Sequence, residues 1–94
     1  MKVIQKHPLP AVGAYGGLTL VPGAVVLGTS VDNAQAVMYV ESPQWGSGYV
    51  YWEIQVVREG DPYADGMQAL GMVDDPNMPA NSGNKLFVVG RING

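Results

Sequence analysis

The side chains of this sequence that can do chemistry are few and dispersed. There is one His, there are eight Asp and Glu against five Lys and Arg, and there is no Cys. Without Cys the chain has no thiolate nucleophile, no disulfide and no cysteine-ligated zinc. The lone imidazole, His7, stands directly before Pro8 with no carboxylate beside it in sequence, whereas a His that activates a nucleophile needs a third group to orient it. It is read as a surface residue closing a strand. "REGDPYADG" and "DDPN" each gather oxygen ligands of the kind a hard cation takes, but neither has the alternating ligands and closing Glu of a calcium loop. Asp, Asn, Pro and Gly are also the ordinary residues of turns, so no metal and no cofactor is expected.

Two glycine-containing stretches fail as catalytic motifs for definite reasons. Ser47 in "WGSGY" has Trp45 two residues before it, where a nucleophile elbow needs Gly. "GAYGG", residues 13–17, lacks both the Lys-Ser/Thr pair and the following helix of a phosphate loop. The expectation is that the chain is not an enzyme.

What remains is recognition. Trp45, Tyr15 and Tyr63 fall in predicted loops, and exposed loop aromatics serve as anchors for partners. The segment "MVDDPNMPANSGNKLF" from Met72 to Phe87 joins two apolar runs through a connection long enough to be functional or disordered. Its Asp74, Asp75 and Asn77 are candidate binding residues, and deleting Asn77 to Gly83 is expected to spare the fold while weakening partner binding. Lys2, Lys6, Arg58, Lys85 and Arg91 are scattered in a chain of net charge -3, which disfavours nucleic acid, because neutralising phosphates takes clustered cations.

These residues must be positioned by strands. In "YVYWEIQVVR" Val50, Trp52, Ile54 and Val56 alternate with Tyr49, Tyr51, Glu53 and Gln55, a period of two. "AVVLGTSVDNAQAVMYVE" reads as a hairpin turning at Asp32-Asn33, and Pro22-Gly23 suits a type II turn after a short "GLTL" strand. "KLFVVGRI" is apolar on both faces, as a central or covered strand is. "QALGMV" is a shorter strand, and "KVIQK" is an edge strand whose Lys residues discourage pairing with another chain. Only "DPYADGMQAL" could hold a turn of helix, with Asp61 as cap and Pro62 in first position.

The expected fold is therefore all-β: a single small antiparallel sandwich or barrel over residues 1–94, with about six or seven short strands and at most one short helical turn. With 47% hydrophobic and 14% charged residues the chain should fold. Exposed Tyr39, Tyr49 and Tyr51 suggest a face for a second copy, so a homo-oligomer is expected. No run approaches the ~18 apolar residues of a membrane helix, and the first residues lack the apolar core of a signal peptide.

"KVIQKHPLP", "LTLVPGAVVLGTSVDNAQAVMYV", "ALGMV" and "LFVVGRI" together resemble a family of short phage-encoded proteins of unknown function. In that family a first strand ends in Leu/Ile-Pro, matched by Leu9-Pro10, and a Pro-x-Gly-Ala-x-x-Leu motif leads into a hairpin, to which Pro22-Gly23-Ala24 with Leu27 corresponds without the residue between Pro and Gly. The insert "QWGSGYVY" and the loop after Val73 depart from the pattern, as does Gly90, near which the family carries a His. No functional residue carries over. The resemblance implies an accessory protein made in the cytoplasm of an infected bacterium. Joined to the missing catalytic motifs, it gives the expected function: binding an unidentified host bacterial protein, to inhibit a host process or a defence system. Two alternatives stand beside it, sequestration of a small nucleotide-like ligand by an oligomer and a structural virion component.

Overall fold

The computed structural model describes residues 1–78 and 83–92, which form seven strands and no helix. They are β1 (Lys2–Pro8), β2 (Tyr15–Leu20), β3 (Val25–Asp32), β4 (Gln35–Pro43), β5 (Val50–Arg58), β6 (Gln68–Asp74) and β7 (Lys85–Ile92). Two antiparallel sheets result, one in the order β1-β4-β3 and the other in the order β2-β5-β7-β6. The fold is thus the small all-β sandwich the alternation predicts. No helix of the described residues is long and apolar enough to cross a membrane.

The facing sides of the sheets make the core. Met38 and Val40 of β4 meet Ile54 and Val56 of β5 and Leu86 and Val88 of β7, with Val73 of β6 and Leu20 of β2 beside them. Each comes from the apolar phase of its strand. Gly90 belongs to the same face, and its missing side chain leaves room for Ile54 and Leu70, whose Cδ1 atoms would lie 2.8 and 2.9 Å from a Cβ there.

Two tight turns form as their residues dictate. Asn33 and Ala34 take φ values of 51° and 62° between the paired Asp32 and Gln35, the type I′ geometry that matches strand twist. Asn accepts this backbone readily, whereas Ala carries a Cβ penalty of about 1–2 kcal/mol. Replacing Ala34 by Gly is expected to raise stability by about 0.5–1 kcal/mol after the extra flexibility of Gly when unfolded is deducted; the midpoint of chemical denaturation measures it. The Pro22-Gly23 turn closes through the Ala24 N–H donating to the Val21 carbonyl at 3.2 Å, with Gly23 at φ 90°.

The "DPYADGMQAL" stretch has no helical turn, because Asp61 works in the opposite direction: its carboxylate accepts the Arg58 N–H at 3.0 Å and closes a turn through Gly60 at φ 88°. Gln55, on the face of β5 opposite Ile54 and Val56, is only 8% exposed. β5 and β6 run parallel with β7 between them, so residues 59–67 must return across the outside of this sheet. They reach Arg91, whose guanidinium donates to the Asp65 carbonyl at 3.4 Å. That crossing accounts for Val57 and Val89, which are buried although they point away from the core.

Candidate functional site

The sandwich is closed along one side and open along the other. On the closed side the edge strands β3 and β6 meet, and the Thr29 hydroxyl donates to the Met72 carbonyl at 2.8 Å. Each of these strands carries a bulge, between Val26 and Gly28 and between Ala69 and Gly71, and bulges turn an edge so that it can fit a neighbour. Gly71 makes the approach possible, since a Cβ there would lie 2.7 Å from the Thr29 hydroxyl. On the other side β1 and β2 are both terminal in their sheets and do not pair.

Between these free edges lies a cleft of about 350 Å³. Met38 and Ile54 belong to the core behind it, Leu18 and Gly16 line it from β2, and His7 and Pro10 line it from the β1 side. The register explains the arrangement. His7 stands opposite Met38 in the β1–β4 pair, and directly opposed residues share a face, so the imidazole points inward. It is half-buried, and its Nε2 is shielded from solvent with no hydrogen-bond partner. The expected surface position of His7 is thereby corrected: the ring is part of the cleft wall. Gly16 is held under Pro10, whose Cγ would sit 3.2 Å from a Cβ at that position.

The residues singled out in the sequence are dispersed around this frame. Tyr15 is the first residue of β2 rather than a loop residue; it is 58% exposed and, opposite Gln55 in the β2–β5 register, lies on the face turned away from the cleft. Asn77 lies at an adjoining hollow, which shares Leu9 and Pro10 with the cleft. Trp45 is 85% exposed at the far end of the sandwich, in the connection that packs Gly46 against Val21. Tyr63, 47% exposed, is on the crossing segment. Tyr39 belongs to the β1-β4-β3 sheet while Tyr49 and Tyr51 lie at the outer side of the other, so these three do not make one face.

Asp74 and Asp75 diverge, as successive residues of an extended chain must. Asp74 accepts an ion pair from Lys85 on the paired strand. Asp75 is 8% exposed and organises the loop: its carboxylate accepts the Asn77 N–H at 2.9 Å, its N–H donates to the Asn84 carbonyl at 3.1 Å, and its carbonyl accepts the Met78 N–H at 3.2 Å. Asp75→Ala keeps the two backbone bonds and removes only the carboxylate's bond to the Asn77 N–H, so it should cost about 0.5–1.5 kcal/mol, the net worth of one hydrogen bond, read from the thermal midpoint. Among the described residues no three His, Asp or Glu side chains converge as metal ligands would. Residues 79–82 of the proposed contact loop lie outside the described residues.

A larger hollow of about 580 Å³ lies beside the β3–β6 seam, between Thr29 to Val31 and Met72 to Pro76. It is more open and more polar than the cleft. The cleft, apolar with a few polar groups at its wall, has the composition typical of recognition sites. Nothing in the sequence pairs β3 with β6, which is why the open side was not foreseen. The one local signal was the phase of "KVIQKHP", which sets Val3, Gln5 and His7 on one face. Comparison with protein-family models, with curated proteins and with solved structures finds no match to this chain.

Proposed function

We propose that this chain is a non-catalytic phage accessory protein that binds a protein of the host bacterium, in the host cytoplasm, and thereby blocks a host process or a defence activity. The observation that supports this reading is the cleft on the open side. An apolar side chain of the partner fills it against Leu18, Met38 and Ile54, with His7 and Pro10 at its wall. Burying such a side chain stabilises a complex by roughly 1.5–3 kcal/mol.

The test is affinity capture from a lysate of the host, with mass spectrometry of what is retained. Stoichiometric recovery of one bacterial protein is expected; recovery of the bait alone sinks the proposal. One observation favours a second reading. The cleft volume lies at the lower end of the ~300–1,000 Å³ range of small-molecule sites, which suits a nucleotide-like ligand. A nucleotide at a hundred times its dissociation constant would then raise stability by about 2.7 kcal/mol. An unchanged melting temperature across a nucleotide panel removes this alternative.

A further inference from the structure

We infer that β1 is a dimerisation edge, joining two copies of this chain by antiparallel β1–β1 pairing across a twofold axis. The argument begins with the direction of the backbone groups. The Leu9 N–H donates to the Ala36 carbonyl at 3.0 Å and the Gln44 N–H donates to the Met1 carbonyl at 2.9 Å. Both bonds connect residues directly opposite one another in the β1–β4 register, extended by one position at each end. In an antiparallel ladder, pairs that exchange hydrogen bonds alternate with pairs that do not. Val3, Gln5 and His7 thus spend their backbone groups on β4. Lys2, Ile4, Lys6 and Pro8 turn theirs to the free edge, and Pro8, which has no N–H, stands where that loss breaks no bond to β4.

An exposed edge of this kind pairs with another strand unless something guards it. The sequence offers Lys2 and Lys6 as guards, but the structure draws both back over the sheet. Lys2 pairs with Glu41 of β4 at 3.4 Å, and Lys6 reaches Asp32 at the end of β3, beyond the central strand. Between them Ile4 is 60% exposed. The edge is neutralised and apolar at its middle.

The same alternation selects the register. Centring the twofold axis on Ile4 would set Lys2 against Lys6 of the second copy, and like charges directly opposed are unfavourable. Centring it on Gln5 sets Ile4 against Lys6 of the second copy, where the aliphatic stem of the lysine covers the isoleucine. The Ile4 N–H then donates to the second copy's Lys6 carbonyl, its Lys6 N–H donates back to the Ile4 carbonyl, and the Lys2 N–H meets the Pro8 carbonyl. The interface is self-complementary, as a twofold contact requires. It also places Val3 of the second copy next to His7, at the rim of the cleft. The pairing uses β1 alone, so it does not depend on the host-binding reading.

Alternate-phase proline substitutions in the full chain test this inference. Wild-type protein should approach twice the 10.0 kDa chain mass in sedimentation equilibrium as concentration rises into the millimolar range. Ile4→Pro removes only an outward N–H and should give the mass of one chain with an unchanged circular dichroism spectrum, whereas Gln5→Pro breaks the β1–β4 ladder and should lower the melting temperature. Ile4→Lys, which sets like charges together, provides a monomeric variant free of proline strain. Amide exchange should slow at Ile4 and Lys6 with concentration while Val3 and Gln5 stay protected throughout. A wild-type mass of one chain at every concentration overturns the inference, and so does a dimer that survives both substitutions at position 4.

Discussion

Replacing Met38 by Ala will lower the stability of the fold by about 2–5 kcal/mol, the range for deleting a fully packed Met. Met38 is 1% exposed on the central strand of its sheet, with His7 and Thr29 opposite it on the two flanking strands. It therefore belongs both to the core and to the floor of the cleft. A domain of this size has a stability of roughly 5–15 kcal/mol, so the loss takes a large share of it. The midpoint of urea unfolding should fall with little change in slope, and Met38→Leu, which keeps the volume, should cost less than about 1.5 kcal/mol. A loss in Met38→Ala below about 1 kcal/mol would mean that the side chain is far less well packed than its burial indicates.

The second large effect is expected at Gly90, where substitution by Val should cost about 1–3 kcal/mol or more through overpacking. A Cβ there would stand 3.0 Å from the Glu53 carbonyl oxygen as well as against Ile54 and Leu70. β7 is paired on both sides, to β5 and to β6, so neither the strand nor the carbonyl can give way without loss of ladder hydrogen bonds. Gly17 makes the useful contrast. A Cβ at that position would overlap the Tyr51 ring, but this ring is 46% exposed and can swing into solvent. Gly17→Ala should leave the thermal midpoint almost unmoved while Gly90→Val lowers it by several degrees. Equal shifts at the two positions would contradict the placement of Gly90 in the core.

The exposed Lys6–Asp32 pair predicts a smaller, pH-dependent effect. The hydrogen bond from Lys6 to Asp32, and then the charge of that carboxylate, raise the lysine above its ordinary value. A group raised in the folded state stabilises below its unfolded value and ceases to do so as pH rises through the folded one. The contribution is therefore complete at neutral pH and lost only in strongly alkaline solution. Because the pair is solvent-exposed, Lys6→Met should change neutral-pH stability little; comparing denaturation midpoints at neutral and alkaline pH measures it.

The strands were legible because their signals are local. The alternation of Val50, Trp52, Ile54 and Val56 fixes the inner face of β5, and Pro22-Gly23 and the Asn33 turn mark chain reversals through backbone preferences that need no tertiary partner. The apolar character of "KLFVVGRI" on both faces correctly implied a central, covered strand. What the sequence did not disclose depends on contacts between distant segments. Gln55 stands on the polar phase of β5, yet it is buried, with its amide turned to the carbonyl of the distant Gly13 at 3.5 Å. His7 reads as a strand end until pairing with β4 turns it inward, and no pattern in β3 or β6 announces that their edges meet and leave β1 and β2 apart. Tyr15, expected in a loop, is drawn into β2 by pairing with Gln55. Asp75 showed itself as polar and turn-forming, but its burial follows from hydrogen bonds that reach as far as Asn84.

The most direct measurement of the cleft's role is the affinity of the captured host protein for three chains, by isothermal titration: wild type, His7→Ala and Leu18→Glu, each first shown to melt as a folded protein. Recognition at the open side predicts at least a tenfold loss for both variants, equivalent to about 1.4 kcal/mol, and no loss for Trp45→Ala at the far end. Equal affinity for wild type and the two open-side variants would contradict it.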